Sequence, residues 1–224
     1  MIFKQRIKAI VQKIAAPLYH WYAGKARKYR YRDVIVNVQP GVFHPGFFFS
    51  TKILLNHLQK IPLKDQNFLE LGAGSGLISV YAAKQGAVVT ASDISETAIQ
   101  NIQENIRRNA VTASVTHSDL FNSIPPQQFD IIIINPPYYP RNPEIESQFA
   151  WFCGEDFQYF QRLFPAMKLY MNPDSIVLMI LSEDCDIARI RDIASRNDFS
   201  MTAEVEKRGW WETNFIFRIG LDGS

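Results

Sequence analysis

Residues 67–84 read NFLELGAGSGLISVYAAK, with three glycines between an apolar run and a helical pattern. Residues 67–71 are a short apolar run typical of a β-strand, and residues 77–84 are typical of a helix. Glycines between a strand and a helix let the backbone approach a ligand closely, and the helix N-terminus favours polar or anionic groups. The glycines here are Gly72, Gly74 and Gly76. The stretch therefore predicts a ligand site where a strand of an α/β sheet meets its helix.

The spacing of these glycines narrows the class of ligand. The dinucleotide fingerprint would place a glycine at Leu77, and a phosphate-binding P-loop would end in Gly-Lys-Ser or Gly-Lys-Thr, and this sequence has neither. Asp93 closes the next apolar run, residues 87–92, where a carboxylate can accept hydrogen bonds from both hydroxyls of a ribose. Asp93 could instead cap the following helix, but Ser95 is an equally good cap. The pattern disfavours an NAD-dependent dehydrogenase and favours another ligand that contains a ribose.

A second motif, Asn135-Pro136-Pro137-Tyr138, follows the apolar run Ile131–Ile134. Four β-branched residues in succession predict a strand that is buried on both faces. The two prolines cannot donate backbone hydrogen bonds, and they restrict the conformation of the motif. The side-chain carbonyl of Asn135 and the main-chain carbonyl of Pro136 are acceptors, and Tyr138 offers an aromatic face. This combination suits a planar NH2 group; the alternative is a simple turn after a strand.

Predicted strands and helices alternate after the glycine loop. The strands are 113–117, 129–134 and 175–181, the helices are 98–109, 156–170 (ended by Asn172-Pro173) and 184–196, and a hairpin of 201–208 and 214–219 follows. Such alternation predicts a parallel sheet with right-handed crossovers, to which the hairpin adds an antiparallel strand. Ligands of open α/β sheets bind at the C-terminal ends of the strands. We expect Gly72, Asp93, Asp119 and Asn135 to meet at that edge.

Composition narrows the broad class of protein. A chain of 224 residues suits a single domain with a full core. Its two cysteines, Cys153 and Cys185, are too few for a disulfide framework, and no Cys/His cluster has the spacing of a metal site. No run of eighteen apolar residues is present. We therefore expect no metal ion, no membrane span and a cytoplasmic location.

Positive charge is concentrated at the beginning of the sequence. Residues 1–32 carry nine Lys and Arg and no acid, so +9 of formal charge lies there against −7 on the remainder. Large apolar residues from Ile2 to Leu18 recur at roughly helical spacing, and Tyr and Trp follow among the charges. Interleaved aromatic and cationic side chains suit contact with RNA. The alternatives are a helix that packs on the core with its lysines solvated, a membrane-surface helix and a transit peptide.

These motifs resemble those of the class I S-adenosylmethionine-dependent methyltransferases. Within that class the chain is similar, from about Gly41 to Gly220, to the N-methyltransferases that carry Asn-Pro-Pro-Tyr. These are the HemK-type glutamine methyltransferases and the methyltransferase small domain proteins that modify bases in RNA. Residues 150–156 and 163–165 also resemble HemK-type enzymes, whereas residues 41–51 have phenylalanines in place of the acids usual there.

The resemblance implies a Rossmann-like fold, with a seven-stranded, mostly parallel sheet, helices on both faces and a C-terminal antiparallel hairpin strand. It divides the chain into a basic N-terminal helical arm, residues 1–40, and a methyltransferase domain, residues 41–224. It implies S-adenosyl-L-methionine as cofactor, bound by Glu70, Gly72, Ala73, Gly74, Gly76, Asp93, Ile94, Asp119, Leu120 and Asn135. It assigns catalysis to Asn135, Pro136, Pro137 and Tyr138.

The implied reaction is methyl transfer to a planar NH2 nitrogen. Its acceptor is either the exocyclic amine of a nucleobase, with RNA favoured by the basic arm, or a glutamine side chain of a protein such as a translation release factor. Both present nearly the same NH2 geometry, so the motif does not distinguish them. The alternative is a non-catalytic regulatory or scaffold protein that binds the cofactor, against which the intact Asn-Pro-Pro-Tyr motif argues.

Overall fold

The computed structural model describes residues 24–46, 49–209 and 212–222. The helices in these ranges are α1 (Phe49–Leu58), α2 (Leu77–Lys84), α3 (Glu96–Arg108), α4 (Gln158–Met167) and α5 (Ile187–Ser195). The strands are β1 (Arg27–Tyr31), β2 (Val34–Val38), β3 (Asn67–Leu71), β4 (Val88–Asp93), β5 (Ser114–His117), β6 (Phe129–Ile134), β7 (Met171–Ser182), β8 (Phe199–Arg208) and β9 (Thr213–Leu221). Short 3-10 helices lie at Glu146–Gln148 and Lys168–Tyr170.

Strands β3 to β9 form one sheet in the order β5-β4-β3-β6-β7-β9-β8. The first five of these strands pair in parallel, and β9 runs antiparallel to both β7 and β8. The strand order reverses at β3, so the C-terminal ends of β3 and β6 lie side by side at the point where ligands bind in open sheets. The predicted Rossmann-like fold, with its parallel sheet and antiparallel C-terminal hairpin, is confirmed.

Two apolar cores cover the two faces of this sheet. The run Ile131–Ile134 in β6 shows the division, since successive side chains of a strand point to opposite faces. Ile131 and Ile133 face the core built with α1, α2 and α3, whereas Ile132 and Ile134 face the core built with α4 and α5. All four side chains are at most 1% exposed, which explains why this strand lacks polar residues.

The predicted helix 156–170 and its terminator differ from the structure. Helix α4 ends at Met167, a 3-10 turn follows, and Asn172 and Pro173 lie inside β7 rather than ending a helix. Pro173 is tolerated because this part of β7 is irregular, with a register shift against β6 between Phe129 and Ile131. The other predicted helices and strands are present, with ends displaced by up to four residues.

The described part of the predicted helical arm contains a β-hairpin. Strands β1 and β2 pair antiparallel, and Tyr31 and alternate residues from Val34 to Val38 are buried in the core beside α1, α2 and α3. The alternation in Val34–Val38 is the period of a strand, a signal that the prediction of a helical arm did not use. The apolar stripe from Ile2 to Leu18, on which the helix was predicted, lies outside the described residues. Packing of the α/β domain therefore begins before residue 41.

Side-chain amides of α3 hold the hairpin in place. The backbone N–H groups of alternate residues in and after β2 donate to amide oxygens spaced four residues apart on α3 and on the residue that caps its C-terminus. The pairs are Ile35 with Asn109 at 3.1 Å, Asn37 with Asn105 at 2.7 Å and Gln39 with Asn101 at 3.2 Å. Four helical residues rise about 6 Å and two strand residues about 6.6 Å, so the two repeats match. We call Asn101, Asn105 and Asn109 the asparagine ladder.

The asparagine ladder also returns hydrogen bonds to the strand. The amide nitrogen of Asn109 donates to the carbonyl of Ile35 at 2.7 Å, and those of Asn101 and Asn105 donate to the carbonyl of Asn37. Asn105 makes a further bond to the carbonyl of Ser75 at 2.9 Å. The ladder therefore connects the hairpin to the glycine loop.

Candidate active site

The glycine loop joins β3 to α2, as predicted. The N–H groups of Gly72 and Ala73 both donate to the carbonyl of Ser92 in β4 at 2.9 Å, which fixes the loop over the next strand. Gly72 has a φ of 74°, a conformation that side chains disfavour. No heavy atom lies within 4 Å of the position that a Cβ would take there. The backbone at Gly72 therefore faces an open space that a ligand can enter.

Gly76 has a different role from the other two glycines. It is the one predicted cofactor residue that the structure does not place on the cleft described below. Its φ is 71°, and a Cβ at this position would lie 3.2 Å from the side chain of Ile102. Glycine is needed here because α2 begins in close contact with α3.

Asp93 ends β4 and is held by backbone donors. Its Oδ2 accepts from the N–H of Gly74 at 2.8 Å, and its Oδ1 accepts from the N–H of Ser95 at 2.9 Å. Burial raises the pKa of Asp93, and these N–H groups oppose that rise. Ser95 is the cap of α3, because its hydroxyl accepts from the N–H of Ala98 at 3.1 Å. Asp93 is thus not the residue that caps the helix.

Glu70 lies beneath the glycine loop and is 6% exposed. Its Oε2 accepts hydrogen bonds from the N–H of Ser79, at 2.7 Å, and from the Ser79 hydroxyl. Burial raises the pKa of Glu70 to about 8, although the two bonds from Ser79 oppose the rise. The carboxyl group is therefore largely protonated at neutral pH when no ligand is present.

Asn135-Pro136-Pro137-Tyr138 directly follows β6 and lines the same cleft. The amide nitrogen of Asn135 lies 3.5 Å from the hydroxyl of Ser50 in α1, to which it donates. This contact leaves the amide oxygen as the free acceptor of the side chain. Burial raises the pKa of Tyr138, so its hydroxyl stays protonated and its ring acts as a neutral surface.

The segment Asn135–Tyr138 is covered by a strap, which we define as residues 150–154. The N–H groups of Tyr138 and Tyr139 donate to the carbonyl of Trp151 at 3.2 and 3.0 Å, and the N–H of Cys153 donates to the carbonyl of Tyr139 at 3.0 Å. The ring of Trp151 lies 5.3 Å from that of Phe43, which precedes α1. The strap therefore supplies hydrogen bonds for backbone groups after the prolines and closes the cleft against the loop before α1.

Asp119 and Leu120 follow β5 at the other end of the cleft. The carboxylate of Asp119 forms an ion pair with Arg162 of α4 at 2.5 Å. Leu120 has a φ of 52°, and the hydroxyl of Ser118 donates to its carbonyl at 2.8 Å, which fixes this turn. Tyr159, one turn before Arg162, also lines the cleft.

Together these segments enclose one cleft of about 380 Å³. The predicted residues that line it are Glu70, Gly72, Ala73, Gly74, Asp93, Ile94, Asp119, Leu120, Asn135, Pro136, Pro137 and Tyr138. Further lining residues had no predicted role, namely Phe43, Ser50, Trp151, Tyr159 and Arg162. These come from α1, the strap, α4 and the loop before α1, and only the tertiary fold brings them together.

The lining residues fit S-adenosylmethionine chemically. Asp93 and Asp119 supply carboxylates suited to ribose hydroxyls and an amino group, and the open backbone at Gly72 leaves room for the amino-acid part. Among the residues that the structure describes, no group of three or more His, Cys, Asp or Glu could hold a metal ion. In the same part of the chain, no helix is long and apolar enough to cross a membrane.

Comparison with known proteins identifies the class. The methyltransferase small domain model matches residues 33–151. A candidate protein N5-glutamine methyltransferase of Methanocaldococcus jannaschii is 32% identical over 153 residues, which cover 66% of this chain and 75% of that protein. A ribosomal protein L11 methyltransferase of Bacteroides thetaiotaomicron is 28% identical over 83% of this chain but only 60% of its own length. The chain spans still smaller shares of several other L11 methyltransferases.

Solved structures share the fold at low sequence identity. A T. thermophilus 16S rRNA N2 methyltransferase, in complex with AdoMet and guanosine, has a TM-score of 0.63 and 18% identity over 88% of this chain and 50% of its own. In the E. cuniculi Mtq2–Trm112 complex, which methylates the termination factor eRF1, the matched chain has a TM-score of 0.62 and 17% identity. That match covers 82% of this chain and 99% of the other.

The fold, the cleft and these similarities define a class I S-adenosylmethionine-dependent methyltransferase. More narrowly, the chain belongs to the methyltransferase small domain family, whose model matches more than half of its residues. Its cofactor is S-adenosylmethionine.

Proposed function

We propose that this methyltransferase transfers the methyl group of S-adenosylmethionine to the nitrogen of a planar NH2 group. The observation that carries the proposal is the position of Asn135 and Pro136 on the same cleft as the glycine loop and Asp93. Asn135 and Pro136 are neutral acceptors that suit N–H donors. In this proposal the glycine loop and Asp93 hold the cofactor, and the residues from Asn135 to Tyr138 hold the acceptor.

The chemistry follows from the weakness of the nucleophile. The nitrogen of an amide or aromatic amine has a delocalised lone pair, so it attacks poorly. Hydrogen bonds from both N–H groups to the oxygens of Asn135 and Pro136 favour a more tetrahedral nitrogen and direct its lone pair toward the methyl group. The Tyr138 ring packs against the planar group and excludes water. Transfer forms an N–CH3 bond and breaks the S–CH3 bond, whose electrons stay on sulfur to give S-adenosylhomocysteine, and the nitrogen loses one proton to water.

A protein glutamine is the first candidate acceptor. Its support is the similarity to the M. jannaschii protein, which extends over three quarters of that protein. The resemblance of the strap and the residues after it to HemK-type enzymes points the same way. A glutamine side chain also carries one planar NH2 group and needs only a narrow entry, in agreement with the close contact between Phe43 and Trp151.

A nucleobase amine in RNA is the second candidate, and the distribution of charge favours it. Residues 24–62 carry seven Lys and Arg and one acid, Asp33, whereas residues 63–224 carry a net charge of −8. The exposed lysines and arginines of β1 and α1 include Lys28, Arg30 and Lys52. We call these three residues the basic surface. Because the loop between β2 and α1 lines the cleft, an RNA bound there would pass near its entrance.

The first experiment uses S-adenosylmethionine with a labelled methyl group and methylation-naive cell extract, divided afterwards into RNA, DNA and protein. We expect label in one fraction, and at least a 100-fold loss of turnover in Asn135→Ala, as for removal of an oriented polar group from an active site. Affinity for the cofactor should change little. Asn197→Ala is the matched control, since the Asn197 amide bonds to Ile193 at the end of α5, away from the cleft.

The fraction that carries the label separates the two acceptors. Label in protein, released as methylglutamine on digestion, supports the first candidate, and label in RNA supports the second. An equal loss of cofactor affinity and turnover in Asn135→Ala would contradict the role proposed for this side chain. Tight cofactor binding without label in any fraction would favour a non-catalytic role.

A further inference from the structure

The first turn of α4 forms one wall of the cleft. Gly154 and Phe157 both have positive φ, at 88° and 61°, and turn the chain sharply from the strap into the helix. Tyr159 and Arg162 lie on the side of α4 that faces the cleft, and both line it. The burial of Tyr159 raises the pKa of its hydroxyl, and the carboxylates of Asp93 and Asp119 act in the same direction. Tyr159 lines the same cleft as both acids.

Arg162 and Asp119 form an ion pair across this end of the cleft. The guanidinium nitrogen lies 2.5 Å from Oδ2 of Asp119, and 50% and 40% of the two side chains are exposed. Exposed pairs of this kind contribute about 0–1 kcal/mol to stability. A contribution to stability alone therefore does not explain the ion pair. Both residues line the cleft, so a role in ligand binding explains it better.

The two carboxylates of the cleft differ in their free oxygens. Both oxygens of Asp93 accept backbone N–H groups. Asp119 has one oxygen bonded to Arg162, and no described residue donates a hydrogen bond to its other oxygen, Oδ1. A carboxylate oxygen only accepts hydrogen bonds, so the oxygen of Asp119 without a described donor can accept one from a ligand. Asp119 lines the cleft, and the ion pair with Arg162 restrains its orientation.

We infer that Arg162 is a positioning residue that makes the chain selective for the 6-amino group of adenine in its cofactor, by holding Asp119 with one oxygen turned toward that group. This role rests on the proposed function, to which we add that the adenine of the cofactor lies beside Asp119, which follows β5, on the far side of Asp93 from Asn135 in the strand order β5-β4-β3-β6. An amino group donates to the free oxygen of Asp119. A carbonyl at the same position of the purine would place two acceptors against each other and leave both unpaired.

The test measures binding of two product analogues by calorimetry, with no methyl acceptor present. These are S-adenosylhomocysteine and S-inosylhomocysteine, in which a carbonyl replaces the 6-amino group. We expect the wild type to prefer the first by tenfold or more, since an unmade hydrogen bond to a charged group costs about 1.5–3 kcal/mol. Arg162→Gln should reduce this preference at least threefold, mainly by weakening binding of S-adenosylhomocysteine. Arg162→Lys, which keeps a cation, should retain more of it.

Two further variants separate positioning from structure. Asp119→Asn should remove most of the preference, and adding Arg162→Gln to it should change the preference no further, since Arg162 acts through Asp119. Lys168→Gln is the matched control, because it breaks a comparable exposed ion pair, with Asp198 at 2.7 Å, away from the cleft. It should leave the preference unchanged.

Other outcomes would overturn the inference. Equal weakening of both analogues by Arg162→Gln would mean that Arg162 contacts the purine ring directly. An unchanged preference would make the ion pair a surface contact without a role in recognition. Failure of the wild type to bind S-adenosylhomocysteine would remove the cofactor assignment as well, whereas failure of methyl transfer in the labelling experiment leaves this binding test unaffected.

Discussion

At the scale of single residues, the protonation of Glu70 makes the stability of the folded chain depend on pH. The folded chain holds a proton on this carboxyl that the unfolded chain, with a pKa near 4.5, has released at neutral pH. The stabilisation from this proton is therefore complete below about pH 4.5 and is lost as the pH rises toward 8. Asp93 shifts in the same direction, so a variant that changes only Glu70 is needed to isolate the effect.

Glu70→Gln removes this proton and keeps a side chain that accepts from Ser79. Without cofactor, we expect the free energy of unfolding of the wild type to fall relative to this variant between pH 5 and 8, by at most about 1.4 kcal/mol per pH unit. Urea denaturation of both proteins at pH 5, 6.5 and 8 measures the difference. Parallel curves over this range would show that Glu70 does not titrate as described.

Single residues also show what can be predicted from the sequence. Asp93 and Asn135 were identifiable because each directly follows an apolar strand, and strand ends of a parallel sheet converge at one edge. Arg162 and Trp151 were not, because Arg162 belongs to no motif, and the segment with Trp151, although it resembles HemK-type enzymes, indicates no contact with the cleft. Gly76 has the same spacing as its neighbours, and only its contact with Ile102 shows that it serves packing.

At the scale of elements, the asparagine ladder is the contact that attaches the hairpin. Asn105 is fully buried, and its amide satisfies the N–H of Asn37 and the carbonyl of Ser75. Asn105→Ala leaves both groups without these bonds in a place that water does not reach readily. We expect a loss of about 2–4 kcal/mol in the free energy of unfolding, measured by urea denaturation.

Asn109→Ala provides the comparison for that variant. Asn109 is partly exposed, so water can replace its bonds to Ile35, and the loss should be about 1 kcal/mol or less. Equal losses in the two variants would mean that burial does not set the cost.

The elements differ in how strongly the sequence predicts them. The strands and helices from Asn67 onward have clear periods, and their alternation predicts the parallel pairing of the sheet. The hairpin of β1 and β2 was not predicted, because the interpretation of residues 1–40 followed their many cations and not the alternation in Val34–Val38. Its second edge bonds to helical side chains, a pairing that strand patterns alone do not reveal.

At the scale of the whole molecule, charge separates the two candidate acceptors. If RNA binds at the basic surface, reversing two of its charges with Lys28→Glu and Arg30→Glu should weaken binding of a short RNA hairpin. The slope of log affinity against log salt should also fall by about one for each phosphate that the protein no longer neutralises. Fluorescence anisotropy at several salt concentrations measures both quantities.

The matched control places the same charge change on β8. Lys207→Glu with Arg208→Glu alters exposed residues of β8, an edge strand of the seven-stranded sheet to which β1 does not belong, and should leave RNA binding nearly unchanged. Equal weakening by both pairs would show that only the net charge matters. Absence of RNA binding in the wild type would favour the glutamine acceptor.

The asparagine ladder protects the edge of β2 against pairing with other copies of the protein. A strand with an unpaired edge offers its N–H and C=O groups to any extended chain, and such edges promote aggregation. One edge of β2 is paired with β1, and the amides of α3 occupy the other. Helix α3 therefore prevents other chains from pairing with β2. It does so without adding a further strand, which would have an unpaired edge of its own.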